Sequence, residues 1–127
     1  MKILCVFLGG GIGSLLRYGI QELSRKPLAD AVFPWGTFGV NVTGSFLIGL
    51  FYALSFRFPV PAELRLFLTV GLCGGFTTFS TFSNEGILLL KHGFYGLFFL
   101  YALSSVASGL LAVLAGGWMA NNLSGKI

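Results

Sequence analysis

The residues best suited to chemistry lie together in GLCGGFTTFSTFSNEG, Gly71 to Gly86. This stretch holds the hydroxyls of Thr77, Thr78, Ser80, Thr81 and Ser83, the Asn84 amide and the Glu85 carboxylate, with Phe76, Phe79 and Phe82 at three-residue intervals. Hydroxyls can donate to an anion or satisfy backbone groups that a helix has released. A phenyl ring has an electropositive edge, which can face an anion without a formal charge. At helical pitch the three rings fall roughly on one face, where simple packing would also place them. Gly74-Gly75 offers a place for a helix to break, since each glycine weakens it by about 1 kcal/mol. A break exposes carbonyls on one half-helix, suited to a cation, and amides on the other, suited to an anion. Asn41 is a second polar group in apolar surroundings. Two readings fit it: a donor on a transport path, or an interhelical hydrogen bond worth around 1 kcal/mol.

The elements that position these groups belong in a membrane. The chain has 127 residues, 55% of them hydrophobic and 9% charged, with a mean hydropathy of +0.87. Soluble domains average about 25% charged residues, and a chain this small cannot hide so much apolar surface in one core. The prolines fall between apolar runs, Pro27 and Pro34 in SRKPLADAVFPWG and Pro59 and Pro61 in RFPVPAE. They leave runs at about 3–23, 36–58, 62–90 and 94–121, each meeting the roughly 20 residues that a helix needs to cross a bilayer. The expected fold is an all-α integral membrane domain of four transmembrane helices, the third broken in mid-span, with both termini on one side. Trp35 and Trp118 fall at predicted span ends, where amphipathic rings suit the headgroup layer. Lys91, His92 and Gly93 form a tight turn. Cys5 and Cys73 lie in apolar runs and read as small hydrophobes.

The basic residues nearly balance across the membrane. Lys2, Arg57, Arg65 and Lys126 fall on the side of the termini, and Arg25, Lys26 and Lys91 on the other, with Arg17 inside the first span towards that second side. Lys/Arg bias sets orientation, so near-balance fits either a weak signal or a dual topology in which copies insert both ways. Small residues recur at helical spacing: Gly9/Gly13, Ser45/Gly49, Gly71/Gly75, Ser105/Gly109 and Ala112/Gly116. Such pairs let helix backbones approach closely, and so many predict packing on several faces and an oligomer. Close packing also explains GGGIGS, Gly9 to Ser14, which lacks the lysine of a phosphate-binding loop and any preceding strand.

GLCGGFTTFSTFS, with GGGIGSLLRY near the start and WGTFGVNVTGSFLIG between, resembles the Fluc (CrcB) fluoride channels over essentially the whole chain. The resemblance implies an antiparallel, dual-topology homodimer with two fluoride pores at the subunit interface, in the cytoplasmic (inner) membrane of a prokaryote. It implies that Phe79 and Phe82 are the aromatic pair lining the pores and that Asn41 is the pore amide. It implies that Gly74 and Thr77 offer backbone carbonyls to a central sodium ion shared between subunits. Thr37, Thr78, Ser80, Glu85, Tyr101 and Ser105 would form the polar wall, and Arg17 would shape the vestibule or anchor the dimer. The fourth span departs from the family pattern, in which a serine just follows a glycine; here the order is Ser108-Gly109. That shift turns the serine about 100° around a helix, so Ser105 or Ser104 takes its place on the wall.

Two other readings compete. A small proton-coupled, dual-topology exporter needs a membrane-embedded carboxylate, for which Glu85 is the candidate deep enough. A non-transporting assembly subunit would use the polar groups only as helix glue. An enzyme is disfavoured by a single histidine and the lack of acid pairs at useful spacing. The net charge of +4 is spread over both faces and does not imply nucleic acid. No ATPase motif is present, so flux is expected to be passive.

Overall fold

A computed structural model describes residues 1–27 and 30–123, so Lys126 of the charge count lies outside the described residues. These residues form helices joined by short turns, with no strand among them. Helix α1 is Lys2–Arg25 and α2 is Trp35–Arg57. The third span is divided into α3, residues 62–76, and α4, Phe79–Lys91; α5 is Tyr95–Leu123. The four predicted spans are all present as helices long and apolar enough to cross a membrane. Pro34 and Pro61 stand immediately before α2 and α3, where proline's missing N–H costs nothing.

The turn between α4 and α5 is closed by backbone geometry. Phe94 N–H donates to Leu89 O at 2.8 Å and Gly93 N–H to Leu90 O at 3.1 Å. This Schellman pair requires a left-handed residue, and Gly93 supplies it at φ 80°. The sharp reversal sets α5 antiparallel to α4 and carries Tyr101 back alongside Phe82.

Two glycine-mediated contacts hold the bundle. A methyl at Gly116 of α5 would overlap the Phe46 carbonyl of α2, and one at Gly49 of α2 would overlap the Val113 carbonyl of α5. On the other side, a methyl at Gly13 of α1 would overlap the Leu72 carbonyl of α3, and one at Gly75 of α3 would press on the Gly10 carbonyl of α1. The small-residue pairs thus bring backbones into direct contact, where dispersion and backbone dipoles replace the hydrophobic drive that lipid cannot provide. Ser45/Gly49 meets Ala112/Gly116, and Gly9/Gly13 meets Gly71/Gly75.

The third span breaks three residues later than its glycines suggest. Gly74 is helical at φ −62°, ψ −40°, and the helix runs on through Phe76. Thr77 (φ −85°, ψ 158°) and Thr78 (φ −149°, ψ 114°) are the extended residues. Glycine permits a break without compelling one. Here competing hydrogen-bond partners for Thr78 fix its place, while Gly71 and Gly75 are used for the close approach to α1. Ahead of the break, Phe67–Cys73 is π-helical, a widening of the turn that is often found at functional sites. A second expectation also changes: Phe76, Phe79 and Phe82 do not share one helical face. Two extended residues separate Phe76, which is buried against Gly44, from the other two.

Candidate functional site

The break is held by one side chain. Asn41 Oδ1 accepts from Thr78 N–H at 2.7 Å, and Asn41 Nδ2 donates to Thr78 O at 3.2 Å. The amide therefore pairs with Thr78 as a neighbouring strand's peptide would, satisfying both backbone groups of a residue that has left the helix. Gly44, one turn further along α2, leaves the room that Thr77 occupies: a methyl there would overlap the Thr77 Cγ2. Thr77 turns its hydroxyl back to Cys73 O at 3.0 Å. Thr78 starts α4, its Oγ1 accepting from Thr81 N–H at 3.2 Å, the usual role of a threonine N-cap. The same hydroxyl lies 3.0 Å from Thr81 Oγ1 and 3.4 Å from Ser80 Oγ, so three hydroxyls cluster at this helix start.

The break takes the helical donors from the carbonyls of Gly74 to Thr77, and these bonds account for two of them. Gly74 O would pair with Thr78 N–H, which Asn41 takes; Thr77 O would pair with Thr81 N–H, which Thr78 Oγ1 takes. Gly74 O stands at the carbonyl end of a half-helix, where the dipole is negative, and Thr77 O on the extended residue that follows it. Oxygen donors at a negative helix end suit a hard cation; among the described residues no group of three or more His, Cys, Asp or Glu could hold a metal ion.

Beside the break lies a hollow of about 340 Å³ whose lining includes Asn41, Gly74, Thr77, Thr78, Phe79, Phe82 and Ser105. Ser105 Oγ is buried there without a hydrogen-bond partner. Ser104, by contrast, turns its hydroxyl to Leu100 O at 2.5 Å, and Ser108 does not line the hollow. Phe79 stands at the hollow's edge, 78% exposed, its ring 5.8 Å from that of Phe82. No carboxylate lines this hollow, and its polar groups are hydroxyls, an amide and backbone.

A second hollow, of about 490 Å³, opens at the end of α4 and includes Thr37, Glu85, Gln21, Arg25 and His92 in its lining. Phe82 of the first hollow packs on Tyr101, with ring centroids 4.9 Å apart. Tyr101 is buried and donates its hydroxyl to Glu85 Oε1 at 3.0 Å. Thr37 lies beside both and accepts from Gln21 Nε2 at 3.1 Å. A polar line therefore follows one side of the bundle, from Ser105 and Asn41 past the Phe82–Tyr101 pair to Glu85 and Thr37.

Arg17 lies apart from this line: its Nε donates to Gly75 O at 3.1 Å, on the α1 side of the break. Sequence reasoning missed Gln21, Gly44 and Ser45 among the residues around the site. Gln21 had a signal, since Gly9, Gly13, Arg17 and Gln21 repeat every four residues along one side of α1. Ser45 was marked only by its small-residue pairing with Gly49, and Gly44 had no signal, because its importance depends on where the break falls.

Residues 4–117 match the family described as "CrcB-like protein, Camphor Resistance (CrcB)". The chain is 57% identical over 120 residues to the "Fluoride-specific ion channel FluC" of Bacteroides fragilis, covering 93% of this chain and 94% of that one. It is 50% identical over 115 residues to the protein of the same name from Thermus thermophilus, covering 91% of each. With the protein of that name from Leptospira interrogans the identity is 46% over 122 residues, covering 95% of each. With matches of this depth along nearly its full length, the chain belongs to the CrcB family.

Proposed function

We propose that this multi-pass membrane protein is a passive, fluoride-selective ion channel that exports cytoplasmic fluoride across a prokaryotic inner membrane, working as an antiparallel homodimer with two pores. The observation that carries the proposal is the hollow beside the break, lined by hydroxyls, an amide and aromatic rings without a carboxylate. The names of its relatives support fluoride as the anion.

Fluoride is small and strongly hydrated, so a path must replace its water with donors. Asn41, Ser105 and the hydroxyls at the start of α4 provide N–H and O–H groups, and Phe79 and Phe82 provide ring edges. None of these carries a full positive charge, so the anion is held weakly enough to leave again. Thr37, Tyr101 and Glu85 continue the polar line towards the second hollow. The Gly74 and Thr77 carbonyls fit a sodium ion shared with a second copy; when bound, it supplies positive potential near an anion crossing a low-dielectric centre. The antiparallel dimer is supported by the near-balance of basic residues and by Phe79, exposed beside an open hollow that a second copy would close. The exporter reading gains no support from the geometry, since Tyr101 and Thr37 hold Glu85 beside the second hollow, away from the break.

The test is efflux from liposomes containing the purified protein, followed by fluoride and chloride electrodes with valinomycin carrying the countercharge. Rapid fluoride loss without chloride loss, abolished by Phe79→Ile with Phe82→Ile, is the expected result. Inserted, dimeric protein that releases neither ion would overturn the reading, and proton-coupled transport through Glu85 would then be measured.

A further inference from the structure

Every described lysine or arginine except Arg17 lies at a helix end or within its first turn. Arg17 is well inside α1, eight residues from Arg25, so its guanidinium sits where charge is costly and is usually functional. Its position is built. Gly9 and Gly13 on the same side of α1 bring the helix backbone against Phe67, Leu72 and Phe76. One turn beyond Gly13, that close approach delivers the arginine to the break.

The bond Arg17 makes there is specific. Gly75 O would normally accept from the backbone N–H four residues on, that of Phe79, which lies beyond the extended pair. Arg17 Nε–H replaces this missing donor at 3.1 Å. It does so at the carbonyl end of α3, where the helix dipole is negative. An anion moving past Asn41 and Phe82 meets that end of the dipole as a barrier. A fixed positive charge bonded to the same turn lowers it.

We infer that Arg17 is a positioning residue and fixed counter-charge, bonded to the Gly75 carbonyl so that the carbonyl end of the broken span admits an anion. This rests on the channel proposed above and adds a determinant of its anion preference. Gly75 is three residues from Thr78, at most about 11 Å of chain. A unit charge at roughly that distance, with an effective dielectric constant near 20, changes an anion's passage by about tenfold.

The test compares Arg17→Lys, Arg17→Gln and Arg17→Met in liposomes, measuring fluoride efflux and the reversal potential under a sodium fluoride gradient. Lysine keeps the charge and can serve a single carbonyl bond; glutamine keeps an N–H without charge; methionine keeps neither. The expected result is efflux within about threefold of the parent for Arg17→Lys, and a tenfold or greater loss for both neutral variants with a reversal potential shifted towards cation permeation. Folded Arg17→Gln or Arg17→Met protein conducting like the parent would overturn the inference. So would equal losses in all three variants with an unmoved reversal potential, which would show lost fit instead of lost charge. Should neither neutral variant assemble, the role is structural and the counter-charge is refuted. A parent protein that releases no fluoride refutes the channel itself, so the two failures are distinguishable.

Discussion

Replacing Asn41 by leucine tests whether one amide holds the third span open. The substitution keeps the shape and removes two hydrogen bonds, of 2.7 and 3.2 Å, both to the Thr78 backbone. Leaving an N–H and a C=O unpaired costs about 1–3 kcal/mol each, which would set the total at about 2–6 kcal/mol. Two effects pull it down. Hydrogen bonds between helices in membranes average only about 0.6 kcal/mol, because the unfolded chain also finds partners. Water in the adjacent hollow can also satisfy part of Thr78, since the site is polar and roomy. The expected loss is therefore about 2–3 kcal/mol, read as a shift in unfolding in mixed micelles followed by circular dichroism. Fluoride efflux per unit of inserted protein should fall at least tenfold, because Thr78 both starts α4 and lines the hollow. Stability within about 0.5 kcal/mol of the parent would refute the claim that Asn41 fixes the break. A destabilised variant with undiminished efflux would instead remove the amide from the ion path.

Three further outcomes follow from the same geometry. Gly116→Ala should destabilise the α2–α5 contact by about 2–3 kcal/mol, since its methyl overlaps backbone that cannot rotate away; Gly117→Ala, with nothing within 4 Å, should be neutral in the same melt. Ser105→Ala removes a buried hydroxyl that has no protein partner, so stability should hold or rise while fluoride efflux falls several-fold; unchanged efflux would take Ser105 off the path. Exchanging sodium for N-methylglucamine during purification should lower the unfolding temperature of the parent, and an identical melt would argue against a cation at Gly74 and Thr77.

The parts of the fold that depend on local composition were legible in the sequence, and those that depend on competition between partners were not. Apolar runs bounded by Pro34 and Pro61 specify spans because bilayer thickness sets the length of helix required. The Gly-rich pairs pointed to backbone contact, though not to which helix meets which. The break was misplaced because propensity ranks Gly74-Gly75 as the weakest point, while its real position depends on an amide 37 residues away in sequence. The rings of Phe76, Phe79 and Phe82 were misread for the same reason, since their common face assumed an unbroken helix. Ser105 was legible as a hydroxyl in a span, yet its lack of a partner needed coordinates. The π-helical turn at Phe67–Cys73 carries no residue that propensity would single out.

The two sequence readings of Asn41, interhelical bond and donor on an ion path, turn out to depend on each other. An amide has two N–H donors and an oxygen with two lone pairs, and either end could in principle face the hollow. Thr78 decides the matter: its N–H can be met only by Oδ1, and its carbonyl only by Nδ2. The orientation is thereby forced by donor and acceptor chemistry. One Nδ2 hydrogen is used on Thr78 O, and the second remains available on a residue that lines the hollow. The bond that keeps the helix open thus also fixes which end of the amide carries a spare donor. A carboxylate at this position could still accept from Thr78 N–H but would bring lone pairs and charge where the donor belongs, so Asn41→Asp should exclude fluoride even where the break survives. An Asn41→Asp protein that stays folded and conducts fluoride at the parent rate would separate the two roles and sink this argument.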